Sequence, residues 1–296
     1  KVLKNTGFKI SVFFSRNFSK ALEFSTKNKI AKPEKYFKNF LDKKNDVDAF
    51  ILAVKTNASI KYLQKLCLLN KPIFVEKPGA LLSRDLKKIQ AMTNSKIFIL
   101  YNRRFYKSIN EGKKFISNSK YCFASIKIPD SVKSIEQFIT NSSHVIDLLF
   151  YYFKDIKLIK SIKLKKKIGF YFLLKSKSDY IISCLLNWGS PQNYEINLYN
   201  EKNQRLEIKP LEISMFYQNM DQIEPSKNWP IRSYIPKLKK KILSVHSNIK
   251  YKAGFVEQYK EIKKILKYKN FKYNICDLEG GIKVLELIEK IIKLKY

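Results

Sequence analysis

Over the first hundred residues, short apolar runs alternate with segments whose hydrophobic positions recur at helical spacing. Gly7 to Phe14 reads as a strand, followed by helices over Ser19 to Asn28 and Tyr36 to Lys44. Asp48 to Val54 is an unbroken apolar run of the kind buried on both faces of a parallel sheet. An amphipathic helix over Ser59 to Leu69 and a strand over Pro72 to Val75 continue the alternation. So do a helix over Leu82 to Thr93, with Ser83 as its N-cap, and a strand over Lys96 to Tyr101. Strands alternating with helices predict a parallel sheet with right-handed crossovers.

Beyond Phe105 the period changes. Residues 121–128, 157–165, 168–175, 179–187, 194–200 and 204–209 read as strands between polar turns. Asn193 to Asn200 and Gln204 to Lys209 read as a hairpin turning at Glu201-Lys202-Asn203. Helices return at 134–153, 254–268 and 277–294, whereas 219–250, rich in Pro, Asn and Lys, reads as a long loop. The fold class is therefore α/β, with a parallel-sheet domain over residues 1–102. An α+β domain with a mostly antiparallel open sheet follows over 103–296.

The 296 residues suffice for two sizeable cores. No apolar run approaches the ~18–20 residues of a membrane span, and Lys1 to Ile10 lacks the apolar region of a signal peptide. The expected location is the cytoplasm. Cys67, Cys122, Cys184 and Cys276 are scattered without the spacing of a metal or disulfide framework, and only His144 and His246 are histidines, so no metal is expected. His246, in a lysine-rich loop, reads as structural or exposed. A net charge of +34 suggests an anionic polymer as partner. Yet only six of the 59 basic residues are arginines, the residue suited to bidentate phosphate and guanine contacts, and the lysines spread along the whole chain. The charge reads as a solvated surface rather than a specific nucleic-acid site.

The chemistry concentrates in a few segments. Glu76-Lys77-Pro78 closes a predicted strand, Tyr101-Asn102-Arg103-Arg104-Phe105 closes the next, and Val47-Asp48-Ala49 opens another. In an open α/β sheet, ligands bind outside the carboxyl ends of the strands. Ser143-His144-Val145-Ile146-Asp147-Leu148 lies in the predicted helix over 134–153; Gly254-Phe255-Val256-Glu257-Gln258 and Cys276-Asp277-Leu278-Glu279-Gly280 follow. In order and spacing these segments resemble the glucose–fructose oxidoreductase / inositol dehydrogenase family of NAD(P)-dependent sugar oxidoreductases, over nearly the whole chain. The resemblance implies a Rossmann domain followed by an α/β domain whose open sheet forms the substrate cleft and often an oligomer interface. A dinucleotide fold normally begins with a strand and a glycine loop. This chain opens on Lys1-Val2-Leu3-Lys4-Asn5, the tail of a helix by pattern, and contains no G-x-G-x-x-G. It reads as truncated by roughly one strand, one loop and half a helix.

By resemblance, Lys77 matches the lysine that contacts the nicotinamide side and a substrate hydroxyl, with Glu76 and Pro78 bordering the nicotinamide ribose. His144 matches the general acid/base, suited by an imidazole that titrates near neutrality. The family's aspartate four residues earlier is Thr140 here, followed by Asn141, a candidate substrate contact. Ser15, where NAD-preferring members carry an acid, stands beside Arg16, which suits a 2′-phosphate; this favours NADP(H) over NAD(H). Val54, Thr56 and Asn57 would line the nicotinamide pocket, although Ser59 replaces a customary histidine. Arg103 and Arg104 divide two roles, a clamp on a substrate carboxylate or phosphate and an inter-domain ion pair, without showing which takes which. Trp188 and Tyr194 read as sheet packing.

The implied activity is hydride transfer between a nicotinamide cofactor and a secondary alcohol or keto group of a sugar or nucleotide sugar, by a homo-oligomer joined through the C-terminal sheet. Glycoside cleavage through transient oxidation and tetrapyrrole or imine reduction use similar sites in relatives. A truncated or degenerate member that binds a nucleotide or partner without turnover is the alternative outside catalysis.

Overall fold

The computed structural model describes residues 2–129, 135–164, 169–187, 189–244, 251–268 and 273–293, with Ile135 defined by its backbone alone. The chain divides into two compact units. One comprises the residues up to Tyr101 together with Phe255–Lys283; the other comprises Asn102–Gly254 and the residues from Val284 on. His246 and Trp188 lie outside the described residues.

The first unit opens with helix α1 (Val2–Asn5), strand β1 (Phe13–Phe14), helix α2 (Phe18–Asn28), strand β2 (Pro33–Glu34) and helix α3 (Phe37–Asp42). β1 is far shorter than the strand expected from Gly7. The backbone explains it, because the Phe8 N–H closes α1 onto the Leu3 carbonyl at 3.0 Å and Gly7 takes φ +78°. Strand β3 (Phe50–Leu52), helix α4 (Thr56–Leu66), strand β4 (Ile73–Glu76), helix α5 (Ser83–Met92) and strand β5 (Ile97–Leu100) follow. β3, β4 and β5 are parallel, as their unbroken apolar runs require, and all four residues of β5 are buried. Ser83 is the first helical residue of α5 rather than its cap; Leu82 holds that position and has no side-chain hydrogen bond to give. Phe14, Phe37, Phe40, Phe50 and Tyr62 form a chain of ring contacts at 4.9–6.2 Å that packs the parallel pair β1–β2 against β3 and α4.

The second unit begins with helix α6 (Lys107–Ser117), which was not expected from the hydrophobic pattern, then strand β6 (Cys122–Ile128) and helix α7 (Ile135–Phe153). Gly112 lets α6 approach α7: a Cβ there would lie 2.4 Å from the Tyr152 hydroxyl, which donates to the Ile109 carbonyl at 2.9 Å. Strands β7 (Ile156–Lys163), β8 (Gly169–Ser176), β9 (Ile181–Asn187), β10 (Glu195–Asn200), β11 (Gln204–Ile208), β12 (Ile213–Ile223) and β13 (Ser233–Leu243) complete an eight-stranded sheet. Its order is β13-β12-β11-β10-β6-β9-β8-β7, antiparallel except between β6 and β9. The expected hairpin is β10–β11, with Ile196 opposite Ile208. The long loop expected over 219–250 is replaced, for its described part, by the far half of β12 and all of β13. Alternation divides the sheet into two faces. Phe170, Phe172 and Leu174 of β8 are buried, and Phe138 of α7 stacks on Phe170, while Tyr171 and Leu173 occupy the opposite, half-exposed face. On that open face Glu195 takes Lys127 at 3.2 Å, Lys209 at 2.9 Å and the Asn197 amide at 2.6 Å. Burial pushes its carboxyl up, but the hydrogen bonds from Lys209, Lys127 and Asn197 outweigh that and hold it below the usual range.

The chain then returns. Helix α8 (Phe255–Lys267), strand β14 (Cys276–Asp277) and helix α9 (Leu278–Ile292) follow, and residues 255–283, expected in the second domain, pack with the first unit. β14 adds antiparallel to β5, with Cys276 opposite Ile99, and Tyr273 meets Phe98 edge-on at 5.1 Å. A distant segment has filled the free edge of a hydrophobic strand. The fold class stands as expected: a parallel sheet with helices, followed by a large, mostly antiparallel sheet.

Candidate functional site

In the first unit, the predicted cofactor residues follow the carboxyl ends of parallel strands. Ser15 and Arg16 come directly after β1, the serine half-buried and the arginine exposed. Val54 follows β3, and Thr56 and Asn57 form the first turn of α4. That helix starts at Lys55 with no side-chain cap, so its leading N–H groups present the positive end of the helix to an incoming anion. Hydroxyls, an amide, a guanidinium and uncapped amides suit a ligand carrying ribose and phosphate.

Glu76 is the last residue of β4, and Lys77 comes next in a turn closed by the Gly79 N–H on the Glu76 carbonyl at 3.1 Å. Gly79 has φ +85°, and a Cβ there would sit 2.9 Å from Ile99 Cδ1, so only glycine fits this turn without a shift. Pro78 is buried behind a cis peptide bond. Burial pushes the half-buried Glu76 carboxyl up; the Lys77 ammonium and backbone N–H restrain the shift without reversing it. Tyr259 of α8 belongs to the same neighbourhood. Its phenol is pushed up to about 12, first by burial and then by the Glu76 charge. Nothing local in the sequence marks Tyr259, since it reaches this strand end from the returning segment.

In the second unit, Arg103 and Arg104 lie in a single 3-10 turn, Asn102–Phe105. Asn102 ties that turn to the Ala253 carbonyl at 3.1 Å. Arg104 grips Asp147 with two nitrogens, Nε to Oδ2 at 2.8 Å and Nη2 to Oδ1 at 2.6 Å, and the aspartate is completely buried. The ion pair expected between domains is therefore internal to the second unit. It pins the arginine turn to α7 one helical turn from His144, which is itself buried. Arg103 plays a different part. Its guanidinium stacks 4.6 Å from the Tyr194 ring and hydrogen-bonds the Tyr106 hydroxyl. Tyr106 is pushed up by burial and by the Glu212 charge, against the pull of Arg103 and Asn102. Tyr194 is thus a platform for Arg103 rather than sheet packing alone. Thr140, at the position of the expected aspartate, places its hydroxyl 3.0 Å from the Glu136 carbonyl, and Asn141 is exposed. Asp147 was visible in the motif but carried no predicted role; its spacing of three from His144 was the available signal.

No family model matches the sequence, and no curated protein is similar enough to match. Solved structures do match. The chain is 18% identical to a dehydrogenase (MviM) from Clostridium difficile, with TM-score 0.73 over 99% of this chain and 93% of that one. The WlbA dehydrogenase from Bordetella pertussis, solved in complex with NADH and UDP-GlcNAcA, is 15% identical, with TM-score 0.67 over 95% of this chain and 86% of that one. The chain has the fold of the glucose–fructose oxidoreductase / inositol dehydrogenase family. A super-repressor mutant of Gal80p from Saccharomyces cerevisiae shares it, at 15% identity and TM-score 0.72 over 99% of this chain and 90% of that one. This fold family therefore includes dehydrogenases and a repressor, and activity has to be argued from the residues.

Proposed function

We propose that the protein is an oxidoreductase moving a hydride between a nicotinamide cofactor and a secondary alcohol or keto carbon of a sugar or nucleotide sugar. The observation that carries this reading is Lys77 at the carboxyl end of β4, beside a half-buried Glu76 whose own pKa is raised. When bound, the cofactor takes up or supplies the hydride. Ser15, Arg16, Val54, Thr56, Asn57, Glu76 and Pro78 would hold it, and Ser15 in place of an acid, with Arg16 beside it, favours NADP(H) over NAD(H). Lys77 stabilises negative charge on the substrate oxygen. His144 accepts the hydroxyl proton during oxidation and returns it during reduction. Arg103, supported by Tyr194 and Tyr106, and Asn141 are the proposed substrate contacts, and the second unit joins copies into a homo-oligomer through its sheet. The nucleotide-sugar ligand of the similar WlbA structure supports the substrate class.

The test is steady-state turnover of the natural protein with a sugar and nucleotide-sugar panel, using NADPH and NADH in parallel. Lys77→Met should lower kcat by about 10²–10⁴-fold while leaving NADPH affinity within a few-fold. Unchanged turnover would remove the assignment. Thr140 in place of the aspartate favours a second reading, nucleotide binding without turnover. NADPH binding with no turnover on any substrate would establish it.

A further inference from the structure

β12 and β13 run on beyond the rest of the sheet as a two-stranded arm, with Met220 opposite Pro236 and Ile223 opposite Ser233. Cross-strand partners share a face of a ribbon. Met220, Tyr234 and Leu238 therefore point to one side of the arm, and Ile223 and Ile235 to the other. Trp229 and Ile231 sit at the tip, where Trp229 pairs with Ser226 across the turn and its indole N–H donates to Ser233 at 3.0 Å. All seven side chains are between 47% and 62% exposed. An isolated hairpin with apolar groups on both faces is marginal in water and gains most from a partner that covers both sides.

We propose that this arm is a clasp for a second copy of the chain. The inference rests on the homo-oligomer reading and names the part of the sheet that carries it. Three observations favour a second copy as the occupant. First, about half of seven large side chains amounts to on the order of 600 Å² of apolar surface, close to the ~800 Å² that one partner contributes to a standard interface. Second, the outer arm is almost neutral within a chain of net charge +34. Asp221 pairs with Lys237 at 2.9 Å and Glu224 with Arg232 at 3.0 Å, so like-charge repulsion is smallest where two copies would meet. The tip turn itself carries a single lysine, Lys227, not the cluster of basic residues that an anionic bilayer recruits. Third, β13 is an edge strand lined by Lys237, Lys239, Lys240 and Lys241, which discourage addition of another strand. Contact is left to the faces and tip, as an isologous two-fold clasp requires.

Light scattering and sedimentation of the full protein across about 1–100 µM test the proposal. The parent should weigh twice the 35.0 kDa of one chain. Trp229→Ser with Ile231→Ser, and separately Met220→Lys, should each weaken dimerisation by at least about 100-fold without changing the circular dichroism spectrum. Leu173→Lys on the open sheet face should leave the dimer intact. A dimer lost with Leu173→Lys but unmoved by both arm variants would overturn the clasp while keeping the oligomer. A parent monomeric at all concentrations would overturn both. A monomer that instead sediments with phosphatidylserine vesicles, and loses them in the tip variant, would assign the arm to membranes and end the proposal.

Discussion

Glu76 and Glu195 each stand at one end of a strand with lysine beside them, one in each unit, and their surroundings drive them in opposite directions. Glu76 is pushed up because burial outweighs a single neighbouring ammonium and one backbone N–H. Glu195 is held down because two lysines and an amide supply more hydrogen bonding than burial takes away. The difference lies in how many donors aim at the carboxylate, not in residue type or strand position. A carboxyl left short of partners beside a lysine is costly to keep, in keeping with the role proposed for the end of β4. A carboxyl surrounded by donors braces an open sheet.

Asp147 is the extreme of the second kind, and removing its charge should have the largest effect. Asp147→Asn leaves the Arg104 guanidinium without its anion and should cost about 3–5 kcal/mol in urea unfolding. A loss under about 1 kcal/mol would mean that the buried pair holds nothing. Glu195→Gln comes next, at about 1–2 kcal/mol near pH 7. Folded Glu195 binds its proton less readily than the unfolded chain does. Its contribution is therefore present above the usual glutamate range and lost as pH falls through its folded pKa. The variant should show a shallower acid limb when stability is followed from pH 7 to pH 3. Glu76→Gln should have the smallest effect and the opposite sign. Folded Glu76 binds its proton more readily, so stability declines as pH rises from the unfolded to the folded pKa. Replacing it should raise stability at neutral pH by under about 1 kcal/mol. A loss instead would place Glu76 with Glu195 and erase the contrast.

Much of this was legible in the sequence, for physical reasons. β4 and β5 are recognisable because burial on both faces demands continuous apolar runs, and β6, β8 and β9 because one covered face imposes alternation. The arm of β12 and β13 was not, because a ribbon exposed on both sides has no periodic burial to report, and its Pro, Asn and Lys resemble a loop. Residues 255–283 could not be assigned to the first unit, since the pairing of Cys276 with Ile99 has no local signature. In the site, Glu76, Lys77 and His144 could be read as parts of motifs. The division of labour between Arg103 and Arg104 could not, because it depends on where Asp147 and Tyr194 come to lie.

The late arrival of β14 also has a consequence in time. β5 ends at Leu100, but the strand that covers its outer edge is not made until Cys276. At about 5–20 residues per second, a ribosome takes roughly 10–35 s to bridge that interval. For that period the nascent chain carries a wholly apolar strand with one row of backbone groups unpaired, an invitation to aggregate. The first unit is thus begun before the second and completed only after most of the second has been made, and its yield in the cell depends on protecting one edge in that interval.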